Sequence, residues 1–177
     1  MILSRAAGAN HQRLGESMPI DIFEADLTDP AHGAGLIDVL DSYASDPVGG
    51  GQPLRPDVRA RLVEAIRSVP TSVVFLAAEE GQIVGLAVCF VGLSTFQARP
   101  LINIHDLAVL PDHRGKGVGR ALLAAVESRA RQGGCCKITL EVQDTNTPAR
   151  GLYESFGFGD VVFGDSGPTR FLSKSLT

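Results

Sequence analysis

The feature that most constrains the fold of this 177-residue chain is a strand, a glycine-rich basic loop and a helix that follow one another without interruption between residues 101 and 130. Residues 101–109 have the composition of a β-strand, and Pro111 ends it because proline cannot donate to a sheet. From Val118 onward, apolar residues return every fourth position, which predicts an amphipathic helix that Gly133 and Gly134 end.

The loop between this strand and this helix lacks the residues that usually start a helix. Residues 114–119 contain no Ser, Thr, Asp or Asn to cap the first N–H groups. Three cations, Arg114, Lys116 and Arg120, lie where the positive end of the helix dipole favours acids. A phosphate or pyrophosphate would satisfy both the free N–H groups and the cations. The alternative is a solvated basic turn, which explains neither the missing cap nor the spaced glycines.

The spacing of the glycines narrows the choice of phosphate ligand. A P-loop requires Ser or Thr after its lysine, but Lys116 is followed by Gly117. In the dinucleotide fingerprint G-x-G-x-x-G the third glycine comes one residue later than Gly119 does here. Both nucleotide-binding interpretations are therefore disfavoured.

The pattern that is present is R-x-x-G-x-G, formed by Arg114, Gly117 and Gly119. It resembles motif A of the GCN5-related N-acetyltransferase (GNAT) superfamily, whose members bind acetyl-coenzyme A. A second resemblance lies at the expected separation: Asn146-x-x-Ala149-x-x-Leu152-Tyr153-x-x-x-Gly157-Phe158. The resemblance implies one α/β domain over residues 18–177, a mixed, mostly antiparallel twisted sheet flanked by helices, with a parallel strand pair splayed around the cofactor.

The resemblance also implies a set of site residues. The cofactor-binding residues it implies are Leu107, Ala108, Val109, Arg114, Gly115, Lys116, Gly117, Val118, Gly119, Arg120, Asn146 and Tyr153. Main-chain N–H groups at residues 107–109 would polarise the thioester carbonyl, and Asn146 would bind the pantetheine arm or merely form a turn. Tyr153 would donate a proton to the departing thiolate, unless it serves only in packing.

An amine is mostly protonated at neutral pH, so acetyl transfer needs a base or a water path. The candidates for this base are, in order, His105, Asp106 and Glu141. The alternative for His105 is a purely structural role. Strict alternation predicts one strand face with Asn103, His105 and Leu107 and the other with Ile102, Ile104, Asp106 and Ala108. A bulge in this strand would exchange the faces of His105 and Asp106.

The rest of the chain supplies the flanking elements. We expect a flexible extension over residues 1–17. The loop over 46–53 is either an inert connection or a wall of the acceptor site; composition does not decide, and the family resemblance slightly favours the second. We expect His113 to be exposed. The predicted strands cover residues 20–25, 73–78, 83–93, 137–142, 161–163 and 169–172, and the helices cover 28–43, 56–69 and 148–156.

Composition excludes several classes of function. The net charge of −4 argues against nucleic acid as a partner, and no apolar run is long enough for a membrane span. Three cysteines without a framework favour packing roles and the cytoplasm, and the four histidines show no metal-ligand spacing. A homodimer is compatible with the sequence.

We therefore expect an acetyl-coenzyme A dependent N-acetyltransferase acting on a primary amine of a small molecule or protein, with no metal. Two alternatives are an acyltransferase that uses another acyl-coenzyme A and a non-catalytic coenzyme A-binding sensor or interaction module.

Overall fold

A computed structural model describes residues 19–161 and 172–175 of the chain. The predicted extension over residues 1–17 lies outside the described residues. So does most of the predicted final pair of strands, and Val161 and Leu172, which are described, have no strand structure.

A five-stranded sheet in the order β1-β2-β3-β4-β5 forms the centre of the fold. The strands are β1 (Asp21–Glu24), β2 (Ser72–Glu79), β3 (Gln82–Ser94), β4 (Arg99–Val109) and β5 (Ile138–Leu140). Successive strands pair antiparallel except β4 and β5, which are parallel. The predicted mixed, mostly antiparallel sheet is therefore confirmed.

Four α-helices cover the two faces of the sheet. They are α1 (Pro30–Ser45), α2 (Pro56–Arg67), α3 (Val118–Gln132) and α4 (Thr147–Ser155), and a 3₁₀ turn covers Pro111–His113. The Asp29 side chain caps α1 by accepting from the Ala31 N–H, as its position predicts. Helix α3 joins the two parallel strands, as a parallel pair requires a crossover.

Each face of the sheet has its own apolar core. On one face, α3 and α4 bury Leu122, Val126 and Tyr153 against Ile102 and Ile104. On the other face, α1 and α2 pack against a second set of strand residues: Val74, Leu76, Leu86, Val88 and Ala108. The sheet is therefore a middle layer with an apolar core on each face.

A bulge in β4 changes which side chains share a face. Val88 of β3 pairs with Asp106, but the next residue, Cys89, pairs with Ile104, so His105 is an extra residue. Beyond the bulge, Leu107 and Val109 pack with the α3 core, whereas Ala108 packs with the α1 core. The strictly alternating faces predicted from the sequence are therefore wrong: Asp106 lies on the α1 side with His105, and Leu107 lies on the α3 side.

Candidate active site

The junction between β4 and α3 has the free N–H groups that the sequence predicts. Gly117 is the N-cap of α3, has a φ of 88° and provides no side-chain cap, and the first turn has no acid. Ala121 makes the first hydrogen bond of the helix, from its N–H to the Gly117 carbonyl at 3.0 Å. Within the described part of the chain, the N–H groups of Val118, Gly119 and Arg120 thus have no main-chain acceptor and are available to an anion.

The glycines of this junction leave space for a ligand. Gly115 and Gly117 have φ values of 73° and 88°, which only glycine adopts without strain. A Cβ built at either residue would meet no atom within 4 Å. Gly119 is different, since its Cβ would lie 3.1 Å from the Leu152 side chain of α4. Its role here is close helix packing.

Two of the three cations predicted to meet a phosphate are held by protein groups. Arg120 donates to the Ser155 hydroxyl at 2.7 Å and lies over the Phe156 ring at 5.0 Å from its centroid. Arg114 donates from Nε to the Val109 carbonyl at 3.0 Å and from its terminal nitrogen to Asp46 at 2.9 Å. Lys116 is exposed and makes no hydrogen bond or ion pair with the described residues.

β4 continues to Val109 beyond its last pair with β5, which joins Ile104 to Leu140, and we call the unpaired stretch beside this junction the gap between β4 and β5. Only three residue pairs join the two strands. Leu110 donates its N–H to Val84 of β3 at 2.9 Å, and N–H groups alternate in direction along a strand. The N–H groups of Leu107 and Val109 therefore point away from β3, into the gap, whereas that of Ala108 points towards β3.

His105 and Asp106, the two first candidates for the base, lie together because of the bulge. His105 is exposed, and its ring makes an edge contact with Phe90 at 5.7 Å between centroids. Burial raises the pKa of the Asp106 carboxyl, and nearby His105 partly opposes this. The carboxylate has no hydrogen-bond or salt-bridge partner among the described residues.

The third candidate for the base, Glu141, lies in a different environment. It is exposed and follows the end of β5. Asn103 directs its amide nitrogen towards the Glu141 carboxylate at 3.5 Å and the Thr139 hydroxyl at 3.2 Å. Glu141 is thus exposed to solvent, whereas Asp106 is only partly exposed.

Tyr153 is buried at the inner face of α4. It is 9% exposed, and its ring makes an edge contact with Phe158 at 5.9 Å between centroids. Burial raises the pKa of the phenol to about 12, with a smaller contribution from Tyr43. The hydroxyl therefore stays protonated at neutral pH and can donate.

Tyr43 is a further candidate site residue, which the sequence analysis placed only at the end of the predicted helix over residues 28–43. Its pKa is raised by burial first, and then by the Asp106 and Asp46 carboxylates. Its electrostatic coupling to Asp106 and to Tyr153 brings α1 into the same region as β4 and α4. A tyrosine in the last helical turn before a glycine-rich loop was the available signal.

Two further side chains have local roles. Asn146 is the N-cap of α4, and its side chain accepts from the Ala149 N–H at 3.3 Å. This contact is the local, turn-forming role that the sequence offered as the alternative to binding the pantetheine arm. His113 is not exposed, contrary to the expectation: its Nε2 lies 2.9 Å from Glu79, and its Nδ1 is buried and has no hydrogen-bond partner among the residues that the structure describes.

The described residues contain no cluster of three or more His, Cys, Asp or Glu side chains arranged to hold a metal ion. Likewise, no helix within them is long and apolar enough to cross a bilayer.

Comparison with known proteins relates this whole region to one family. The family model described as "Acetyltransferase (GNAT) family" matches residues 36–158, which include every candidate described above. The uncharacterized N-acetyltransferase YhfO of Bacillus subtilis (strain 168) is 34% identical over 87 residues, or 49% of this chain and 58% of that protein. Streptothricin acetyltransferase of Streptomyces lavendulae is 38% identical over 79 residues, 45% of this chain and 40% of that protein.

The chain thus spans about half the length of the curated relatives it matches. Among solved structures, the ribosomal-protein-alanine N-acetyltransferase of Brucella melitensis biovar Abortus 2308 superimposes with a TM-score of 0.65 at 22% identity. That match covers 86% of this chain and 100% of the other. At this identity the similarity shows a shared fold.

Proposed function

This chain belongs to the acetyltransferase (GNAT) family, and we propose that it transfers the acetyl group of acetyl-coenzyme A to a primary amine. The observation that carries this proposal is the uncapped start of α3, with open glycines at 115 and 117, directly beside the gap between β4 and β5. A fold alone does not define a reaction, so the proposal rests on these groups and on what they can do.

The cofactor would bind along the gap, with its pyrophosphate at the start of α3. The N–H groups of Val118, Gly119 and Arg120 would donate to the phosphate oxygens, and the positive end of the helix would stabilise their charge. Lys116 would add a mobile positive charge. The Leu107 N–H, which points into the gap, would donate to the thioester carbonyl oxygen as negative charge develops on it.

The reaction needs one proton removed and one supplied. The amine nitrogen attacks the thioester carbonyl carbon, the C–S bond breaks, and the amine gives up a proton to a base. Tyr153 supports the other half of this exchange, because its buried phenol remains protonated and can donate to the departing sulfur. Coenzyme A leaves as a thiol.

His105 and Asp106 are the proposed pair of groups that accept the amine proton. The bulge brings both to the α1 side of β4, so the two candidates act in one place. The raised pKa of Asp106 makes its carboxylate a stronger base than an ordinary solvated one. Glu141 is the weaker candidate, since it is exposed.

The proposed acceptor is a cationic small molecule or a protein amine. Asp106 has no cation from Lys or Arg beside it among the described residues, so an ammonium group would compensate its charge on entry. The names of two similar proteins fit one class each: streptothricin acetyltransferase fits the small molecule, and ribosomal-protein-alanine N-acetyltransferase fits the protein amine.

The free state of all three cysteines supports a reducing compartment, and we propose the cytoplasm. A homodimer remains a prediction to be tested by light scattering.

Release of free thiol from acetyl-coenzyme A, measured with a panel of amines, tests the proposal. The panel should contain small diamines, aminoglycosides and a peptide with N-terminal alanine, with acetylated product identified by mass spectrometry. Turnover with at least one amine is expected. Turnover only with a longer acyl donor would replace acetyl transfer by another acyl transfer, and tight coenzyme A binding without any turnover would indicate a sensor.

A further inference from the structure

The loop between α1 and α2, residues 46–55, crosses from the acceptor side of the sheet to the cofactor loop. It begins at Asp46, the C-cap of α1, three residues after Tyr43. Asp46 and Arg114 are 68 residues apart in sequence, yet their side chains are 2.9 Å apart. The α1–α2 loop and the loop that carries the proposed pyrophosphate site are therefore joined directly.

Asp46 organises the α1–α2 loop through both its main chain and its side chain. Its carboxylate accepts from the Val48 N–H at 3.0 Å, and its carbonyl accepts from the N–H groups of Gly49 and Gly51 at 2.8 and 3.0 Å. The Val48 N–H, followed by the Arg114 guanidinium, holds the pKa of the Asp46 carboxyl below its usual value. The carboxylate is therefore charged at neutral pH.

The loop is attached on both sides of the gap between β4 and β5. On the β4 side, Arg114 binds Asp46 with one nitrogen and the Val109 carbonyl with another. On the β5 side, Gln143 donates to the Val48 carbonyl at 3.2 Å. Movement of either side of the gap must therefore move the loop or break one of these bonds.

The loop is also packed tightly against the end of α1. A Cβ built at Gly49 would lie 1.9 Å from the Tyr43 carbonyl oxygen, a distance at which the main chain would have to move. The position of the loop and the position of Tyr43 are therefore linked. Tyr43 in turn lies within electrostatic range of both Asp106 and Tyr153.

We infer that Asp46 is a positioning residue: by binding Arg114, it fixes the α1–α2 loop and the end of α1 as a wall of the acceptor site, in register with the bound cofactor. This inference rests on the proposed function and adds to it a residue outside the two family motifs. Asp46 touches neither reacting group. Its contribution should appear in how well the acceptor binds, and less in the chemical step.

The kinetic test uses Asp46→Asn, Arg114→Gln and the double variant. Asparagine retains the oxygen that accepts from Val48 but loses the charge that binds Arg114. We expect Asp46→Asn to raise the acceptor KM by roughly three- to tenfold, with kcat and the Kd for coenzyme A changed by less than about twofold. Arg114→Gln should raise the acceptor KM comparably. In the double variant the acceptor KM should be no higher than in Arg114→Gln alone, because both changes break the Asp46–Arg114 pair and Arg114→Gln also removes the bond to the Val109 carbonyl.

Asp38→Asn is the matched control. Asp38 also lies on α1 and also pairs with an arginine, Arg59 at 3.4 Å, but it is largely exposed and outside the site. Its removal should leave the acceptor KM unchanged. An Asp46→Asn protein with wild-type acceptor KM, or single effects that multiply in the double variant, would overturn the inference.

Hydrogen exchange keeps the test decisive if no amine turns over. Peptides covering residues 47–52 should exchange at least about threefold faster in Asp46→Asn and in Arg114→Gln than in the wild type or in Asp38→Asn. Exchange unaffected by both variants would refute the link between the loops. Faster exchange in a protein without turnover would instead preserve the link and reject the proposed reaction.

Discussion

Gly117→Asp separates the stability of the fold from binding of the cofactor. Gly117 has a φ of 88°, and a Cβ there would meet no atom within 4 Å. The substitution therefore introduces no clash in the free protein. It places a carboxylate at the start of α3, where the proposed pyrophosphate binds.

The expected cost to stability is small because two effects oppose each other. A non-glycine residue in the left-handed region costs about 1–2 kcal/mol, and aspartate is among the residues that tolerate it best. A negative charge at a helix N-terminus returns about 0.3–1 kcal/mol. The net loss of about 1 kcal/mol corresponds to a fall in Tm of roughly 2–4 °C for a domain of this size.

The expected cost to binding is larger. A phosphate oxygen bonded to the Val118 N–H would lie about 3 Å from that nitrogen, and hence on the order of 5 Å from a carboxylate on the preceding residue. At an effective dielectric constant between about 20 and 80, the repulsion per charge pair is roughly 1–3 kcal/mol. Calorimetry should therefore show the Kd for coenzyme A rising by roughly 5- to 150-fold, and less in high salt.

Gly134→Asp is the matched control. Gly134 also has a positive φ, of 66°, and open space around its Cβ, but it follows the opposite end of α3. That end is about 22 Å away, well beyond the screening length of about 10 Å at 0.1 M salt. The control should lose more stability, because the charge opposes the helix dipole, yet bind coenzyme A normally. A folded Gly117→Asp protein that binds within threefold of wild type would refute the assignment of the loop.

Four further substitutions test the site. Tyr153→Phe should lower kcat by at least about tenfold with the Kd for coenzyme A nearly unchanged, since the ring remains and the donor is lost; equal turnover would reduce Tyr153 to packing. For His105→Ala and Asp106→Asn, the dependence of kcat/KM on pH should be measured with one amine. The variant in which the acidic limb of this profile disappears identifies the base; if both variants retain the limb, the base is Glu141 or water. The pKa of the Asp106 carboxyl is raised from 3.8 in the folded protein, so its ionisation lowers the stability of the fold as the pH rises from about 4 through the folded pKa. Urea denaturation should therefore show Asp106→Asn to be more stable than the wild type at pH 7, and the difference should shrink towards pH 4. Gly49→Ala should raise the acceptor KM and lower Tm by several degrees, because its Cβ would overlap the Tyr43 carbonyl; unchanged values for both would show that the loop is free to shift.

The controls for these experiments also depend on the structure. His113, expected from the sequence to be exposed, is paired with Glu79 and has a buried Nδ1. His113→Ala would thus disturb the fold next to the cofactor loop. His32 serves better as a histidine control for His105, since it lies at the opposite end of α1 from Tyr43 and Asp46.

The local elements were predictable because their signals are local. Apolar residues at every fourth position predicted α3, and the structure places it at Val118–Gln132. The absence of a cap at its start was also readable, since it depends on one short stretch of chain. The β2–β3 hairpin and the parallel pair of β4 and β5 were predictable from a short turn and one crossover helix.

Only the tertiary structure decided the properties that depend on pairing between distant segments of the chain. The bulge at His105 arises from the register between β3 and β4, and it moves Asp106 to the face where an acceptor amine would enter. The Asp46–Arg114 ion pair spans 68 residues and has no local signature. By itself, then, the sequence predicted the helices, the five strands of the sheet and the glycine-rich junction that no side chain caps. The faces of Asp106 and Leu107 and the wall built by Asp46 were decided by packing, because a one-residue change of register reverses a strand's side chains without altering its hydrophobic pattern.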